Sequence, residues 1–288
     1  MKTFTCAMLL WTLFPALAAV GLEPSAQDRF FEKVGLQLYS LRDQFPKDGF
    51  GPTLDRVKSW GVKYVEVSGV RGVSPEQYRA ELRKRGLVPI GSHFAYDRLK
   101  KDIEGVTAEA KALGISYVGC AWIGHKRPFD EKQCRQAAEV FNRAGQALAR
   151  HGLKFYYHNH GYEFLPHGQG TLFDLLAAQT DPKYVSFQLD VLWTVLPGVD
   201  PAKLLEKYPG RFVFVHLKDL RKGVPTGDHS AKTALTNDVR LGTGQVDWRA
   251  FIRAGEKTGV KYYFIEDESP TAPEQIPESL KFLRGLKF

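Results

Sequence analysis

Cysteine is scarce in this chain: Cys6, Cys120 and Cys134 are the only three in 288 residues. No Cys-x-x-Cys spacing occurs, so neither a thiolate zinc site nor a disulfide framework is indicated, and Cys120 and Cys134 read as packing residues. No Gly-x-Gly-x-x-Gly loop follows the first strand-like run, where Leu38-Tyr39-Ser40-Leu41-Arg42-Asp43 stands instead, which argues against a dinucleotide-binding sheet. A basic stripe interleaved with aromatics is also missing. The formal charge of +8 comes from Lys and Arg spread along helical stretches such as 79–85, so solvated helix faces are expected and no nucleic-acid partner. No linker or low-complexity segment divides the chain.

Long apolar runs are lacking too, apart from residues 7–20. That run is broken by Pro15 and falls short of the roughly 18 apolar residues that a membrane span requires. Lys2 precedes it and Ala16-Leu17-Ala18 ends it in a small-x-small pattern, so residues 1–18 read as a secretory signal cut near Ala18. Cys6 comes too early to be the acylated cysteine of a lipoprotein signal. The expectation is an exported protein, periplasmic or secreted, without membrane contact once the signal is gone. Oligomeric state leaves no signature in the sequence.

What is present is a repeated pattern. Short β-branched or aromatic runs at 34–39, 64–67, 88–93, 117–122, 154–158, 185–190, 212–217 and 262–266 alternate with amphipathic segments beginning near Thr53, Ser74, Leu99, Asp130, Thr171, Pro201, Asp247 and Glu274. Ser74-Pro75-Glu76 and Asp200-Pro201 have the chemistry of a helix start, and Gly61, Gly86, Gly114, Gly152 and Gly259 each follow a helical run. Eight strand–helix units in strict alternation predict a single (β/α)8 TIM barrel over residues 30–288.

In such a barrel the chemistry lies at the C-terminal ends of the strands. The polar residues fall there: Ser92-His93 on the third run, His158-Asn159-His160 with Glu163 on the fifth, Asp190 on the sixth, His216-Leu217-Lys218-Asp219 on the seventh and Glu266-Asp267-Glu268 on the eighth. Of eight histidines, only His151 is plainly on the far side, at a helix end. Carboxylates and imidazoles without thiolates suit one divalent cation, Mn²⁺, Mg²⁺, Co²⁺ or Zn²⁺, in an open site. Asp190, His216 and Glu266 are the expected ligands. The fifth run offers His158, His160 and Glu163 for a fourth; the preferred reading puts Glu163 on the metal and leaves His158 or His160 as the base, since a neutral imidazole titrates near working pH. Lys218 is expected to support a developing oxyanion. Gln37, Tyr39, His93, Trp122 and Trp193 are expected substrate contacts, with packing as the competing role for the tryptophans.

Taken together, Gly35-Leu36-Gln37-Leu38-Tyr39-Ser40, His158-Asn159-His160-x-x-Glu163-Phe164, Asp190-x-x-Trp193, Val215-His216-Leu217-Lys218-Asp219 and Gly242-x-Gly244-x-x-Asp247-Trp248 resemble the sugar phosphate isomerase/epimerase family of xylose isomerase-like barrels. The resemblance spans essentially the whole chain after the signal. It implies a divalent metal held by a Glu, Asp, His, Glu set from strands five to eight, and isomerisation or epimerisation of a sugar through an enediolate. Family members that isomerise or epimerise carry the first of those glutamates inside strand five, where this chain reads Phe155-Tyr156-Tyr157-His158. The His-Asn-His-x-x-Glu form is similar to the branch of 3-keto-glycoside lyases. A metal-dependent carbohydrate enzyme that removes a proton beside a carbonyl is therefore expected, as isomerase, epimerase or lyase. The rivals are a multi-metal phosphodiesterase like the endonuclease IV enzymes, which export argues against, and a non-catalytic sugar-binding barrel.

Overall fold

A computed structural model describes residues 25–288, so the expected signal segment 1–18 lies outside the described residues. Eight strands form one closed parallel ring: β1 (Val34–Gln37), β2 (Tyr64–Val67), β3 (Val88–His93), β4 (Tyr117–Cys120), β5 (Lys154–His158), β6 (Val185–Asp190), β7 (Phe212–Leu217) and β8 (Tyr262–Ile265), each hydrogen-bonded to its neighbours in sequence, with β8 closing on β1. Closure leaves the ring without an exposed strand edge. Among the described residues no helix is long and apolar enough to cross a membrane.

Local chemistry places the helices between the strands. Ser74 caps Pro75–Lys84 in a reciprocal capping box with Gln77, Asp130 caps the 19-residue helix Glu131–Ala149, and Asp247 caps Trp248–Thr258. Gly114 and Gly259 end their helices at φ 74° and 90°, a left-handed conformation that glycine adopts without steric cost. The helical segment expected from Leu99 is two helices, Tyr96–Lys101 and Ile103–Leu113. The chain breaks at Asp102, whose side chain takes the Gly105 amide and starts the second. The expected runs overshoot at three strand ends. Beyond Gln37 the chain tightens into a 3-10 turn, Leu38–Leu41, while the strands before Trp122 and Glu266 stop at Cys120 and Ile265.

Alternation along each strand separates two cores. Val34, Leu36, Val65, Val118, Phe155, Tyr157, Phe187, Leu189, Val215 and Ile265 belong to the large cluster shared with the helices. The bore is filled at its lower end by Ile90, Tyr117, Tyr156, Val213, Phe214 and Phe264. Gly119 is required there, because a Cβ at that position would overlap the Tyr156 ring. Above this apolar floor the bore turns polar, beginning with Glu66 and Gln188. The register shifts at both of these residues, between Val65 and Glu66 on β2 and between Phe187 and Gln188 on β6, and such irregularities re-aim side chains.

Candidate metal centre and active-site cavity

Three late strands bring Asp190, His216 and Glu266 together at the C-terminal rim, with one ligand atom of each within 4.8 Å of the others. Nδ1 of His216 lies 3.0 Å from Glu266 Oε2 and 3.9 Å from Asp190 Oδ2. His158 at the end of β5 adds Nε2 at 3.8 Å from the same Asp190 oxygen. Asp190 itself starts the short helix Val191–Val195, and its Oδ1 caps that helix through the Trp193 amide at 2.9 Å. Its buried Oδ2 has no hydrogen-bond partner. An ionised oxygen left bare in a buried site is costly unless a cation completes it, and a carboxylate–imidazole set without thiolates fits a divalent metal.

The charges of the group interact strongly. Burial pushes the Asp190 carboxyl up and the facing Glu266 adds to the effect, whereas Lys218 and His216 outweigh burial at Glu266 and hold it well below the usual carboxylate range. Lys218 is itself buried, yet the carboxylates of Glu268, Glu266, Asp190 and Asp238 outweigh desolvation and keep it charged. Its Nζ lies 2.5 Å from Glu268 and 3.3 Å from Glu266. His216 is lifted to about 10, since Glu266 and Glu66 overcome the opposing effect of burial. Burial above all, with the neighbouring positive groups, drives His158 well below its ordinary value and His160 down to about 3, leaving both neutral.

A cavity of about 570 Å³ opens over this group, with Tyr39, His93, Trp122, His158, His160, Trp193, Glu266 and Glu268 in its wall. Tyr39 and Trp122 are 41% and 39% exposed, so their ring faces are available to a ligand at the mouth. His160 sits among aromatic rings, 5.0 Å from Trp122 and 5.7 Å from Trp193 between centroids, and its Nδ1 has no partner.

Two expected site residues lie elsewhere. Glu163 is turned away from the metal group: both its oxygens accept the His160 amide at 3.0 Å, and Tyr157, an outward-facing residue of β5, donates its hydroxyl to one of them. The fifth strand instead brings His158 to 3.8 Å from Asp190, and His158 also forms a second set of potential ligand atoms with His93 and His216. Gln37 is fully buried and lies outside the cavity wall, its amide oxygen bound to the Tyr39 amide at 3.1 Å and its nitrogen to Glu66 at 2.7 Å.

Glu66 is the residue that sequence reasoning missed. Fully buried on β2, it accepts from Gln37, Gln188, Tyr156 and His216 and lies 3.2 Å from Nε2 of His93. Despite burial, His93 and His216 hold its carboxyl well below the usual range. The available signal was its phase: in Tyr64-Val65-Glu66-Val67 the acid shares the bore-facing side with Tyr64.

The xylose isomerase-like TIM barrel family model matches residues 54–286. The chain belongs to that family. It is 32% identical over 172 residues to an inosose dehydratase of Clostridium botulinum, a match covering 56% of each protein. To an inosose dehydratase of Lacticaseibacillus casei it is 24% identical over 278 residues, or 85% of this chain and 92% of the relative. The chain thus spans little more than half the length of the first of these relatives and most of the second. Among solved structures, a sugar phosphate isomerase/epimerase from Parabacteroides distasonis superposes with a TM-score of 0.73 at 23% identity, covering 88% of this chain and 96% of that one. At that identity the likeness speaks for the fold alone.

Proposed function

We propose that the protein is a metal-dependent carbohydrate lyase that removes a proton beside the carbonyl of a keto-sugar and expels the oxygen substituent on the next carbon. The observation that carries this reading is the approach of His158 and His216 to one unpartnered oxygen of Asp190, with Glu266 beside them, beneath an aromatic-walled cavity. Elimination is favoured over isomerisation on two grounds. Both relatives above are dehydratases, and the fifth strand supplies an imidazole in place of the carboxylate that a two-glutamate proton shuttle uses.

His158, Asp190, His216 and Glu266 would hold Mn²⁺, Mg²⁺, Co²⁺ or Zn²⁺, which when bound supplies Lewis-acid stabilisation of the charge that develops on the carbonyl oxygen. Lys218, charged and 3.7 Å from Asp190, adds a fixed positive field on the same side. His160, neutral and in the cavity wall, accepts the α-proton as the C–H bond breaks and its electrons pass into the enolate. The enolate electrons then re-form the carbonyl while the β C–O bond breaks, and His160 returns the proton to the departing oxygen, so that water or an alcohol leaves. Trp122, Trp193 and Tyr39 offer ring faces to the apolar side of the substrate, and His93 lines the same cavity as a polar contact. Export with removal of residues 1–18 is part of the proposal; N-terminal sequencing of the mature protein checks it.

The test is to incubate metal-loaded protein in deuterated water with a 3-keto-glucoside, an inosose and a free ketohexose, following each by NMR. Release of aglycone or water from one of the first two is expected, with the α C–H signal lost from the product. Epimer or aldose formation from the ketohexose without elimination from the others would overturn the lyase reading.

A further inference from the structure

We propose that Glu66 is a positioning residue, which decides through two hydrogen-bond routes that Nδ1 of His216 and Nε2 of His158 are the nitrogens turned toward Asp190. The inference rests on the reading that these histidines hold a metal, and it adds a residue on the opposite side of the ring that touches neither Asp190 nor the cavity.

Everything around Glu66 donates. The Gln37 amide is oriented by its oxygen, which takes the Tyr39 amide at 3.1 Å, so its nitrogen must point at Glu66 Oε2, 2.7 Å away. Tyr156 donates its hydroxyl to Oε1. Gln188 Nε2 lies 3.0 and 3.1 Å from the two oxygens, His216 Nε2 lies 2.5 Å from one, and His93 Nε2 lies 3.2 Å from the other. Four donor groups on two oxygens, with the His93 ring beside them, can be satisfied only by an acceptor that carries no hydrogen of its own.

The first route is direct. Because His216 gives its Nε2–H to Glu66, Nδ1 is the atom left to face Glu266 and Asp190, the carboxylate–imidazole arrangement that orients metal-binding histidines. The second route passes through Gln188. With its NH₂ committed to Glu66, its carbonyl oxygen must turn to His158 Nδ1 at 3.1 Å and His93 Nε2 at 2.9 Å. His158 therefore carries its proton on Nδ1, and the Nε2 lone pair is directed at Asp190 Oδ2, 3.8 Å away. Glu66 makes no contact with His158, so an effect of Glu66 on that ring separates this role from simple satisfaction of buried donors.

Glu66→Gln supplies the test. An amide there sets a donor against four donors; turning Gln188 over relieves the clash, but then presents NH₂ to His158 Nδ1 and moves that proton to Nε2. Two readouts are needed: zinc affinity by competition with a chromophoric chelator, and the histidine ring ¹⁵N resonances with and without zinc. The expected result is zinc bound roughly 10- to 100-fold more weakly, the loss typical of an outer partner of a ligand, together with the change of tautomer at His158. Tyr156→Phe removes one donor but leaves the carboxylate and both glutamines in place, so its zinc affinity should stay close to that of the starting protein. Gln188→Leu cuts only the second route, so it should free the His158 tautomer even if Glu66→Gln does not fold. Unchanged His158 resonances in Glu66→Gln or Gln188→Leu, or equal zinc loss in Tyr156→Phe and Glu66→Gln, would overturn the proposal. Absence of zinc binding by the starting protein would instead overturn the metal reading, while the zinc-free His158 resonances still report on Glu66.

Discussion

The ammonium of Lys218 lies 3.7 Å from Asp190 Oδ2, the oxygen that has no hydrogen-bond partner. A buried lysine beside three further carboxylates, Glu266, Glu268 and Asp238, neutralises part of the charge that a divalent cation would also neutralise. Removing one partner of a buried ion pair leaves the other charge uncompensated and costs about 3–5 kcal/mol. Lys218→Met should therefore lose about that much stability in chelator, and recover a larger share on adding Mn²⁺ or Zn²⁺ than the starting protein gains. Thermal unfolding with and without metal measures both; a variant as stable as its parent in chelator would refute the argument.

Asp190 has two separable tasks, one per oxygen. Oδ1 caps the helix Val191–Val195, and an asparagine oxygen can do the same, whereas the free Oδ2 contributes only charge and a lone pair. Asp190→Asn is expected to keep the fold and to lose bound metal, from about one ion per chain to close to none, by elemental analysis of the purified protein. Retention of a full complement would move the metal away from this group.

The aromatic rim makes a kinetic prediction. Trp122 is 39% exposed, and its ring is braced from behind by His125, stacked at 5.2 Å, and by Tyr162 at 5.0 Å. It is thus pre-formed as a platform at the mouth of the cavity. An aromatic contact of that kind contributes about 0.5–1.5 kcal/mol, so Trp122→Ala should raise KM roughly 2- to 12-fold with kcat little changed. A fall in kcat with KM unaltered would place Trp122 closer to the chemistry.

The barrel was legible because its signals are local. A period of two marks each strand and a glycine closes most helices, and the spans Tyr64–Val67, Val88–His93, Lys154–His158, Val185–Asp190 and Phe212–Leu217 coincide with the apolar runs. Residues at strand ends, such as Asp190, His216 and Glu266, were legible for the same reason. Glu66 was not, because its meaning comes from partners 29 to 150 positions away on β1, β5, β6 and β7. Glu163 misled for the opposite reason: its three-residue separation from His160 lets it fold back on that amide, a local bond that reach alone did not reveal. The glycine motif near Trp248 also has a structural role, since Asp219 gathers the amides of Gly242, Gly244 and Val246 with the Trp248 indole, and a Cβ on Gly244 would overlap Asp219.

Acid sensitivity can be assigned away from the metal group, at Asp174. Its carboxylate closes a capping box with Thr171 at the start of Leu172–Gln179, takes the Lys207 ammonium at 2.6 Å and accepts the Tyr208 hydroxyl. Partial burial opposes its charge, but Lys207, Tyr208 and the Thr171 amide outweigh that and lower its pKa below the ordinary 3.8. A carboxyl depressed in the folded state contributes stability that is fully present above its unfolded pKa and is lost as pH falls through the lower folded value. Asp174→Ala should cost about 1–2 kcal/mol at pH 7, the range for a lost cap, and the difference from the parent should shrink as pH drops below about 4. Urea titrations at pH 7, 4 and 3 measure it; a gap that stays constant over that range would mean that Asp174 stabilises the helix by packing and not by charge.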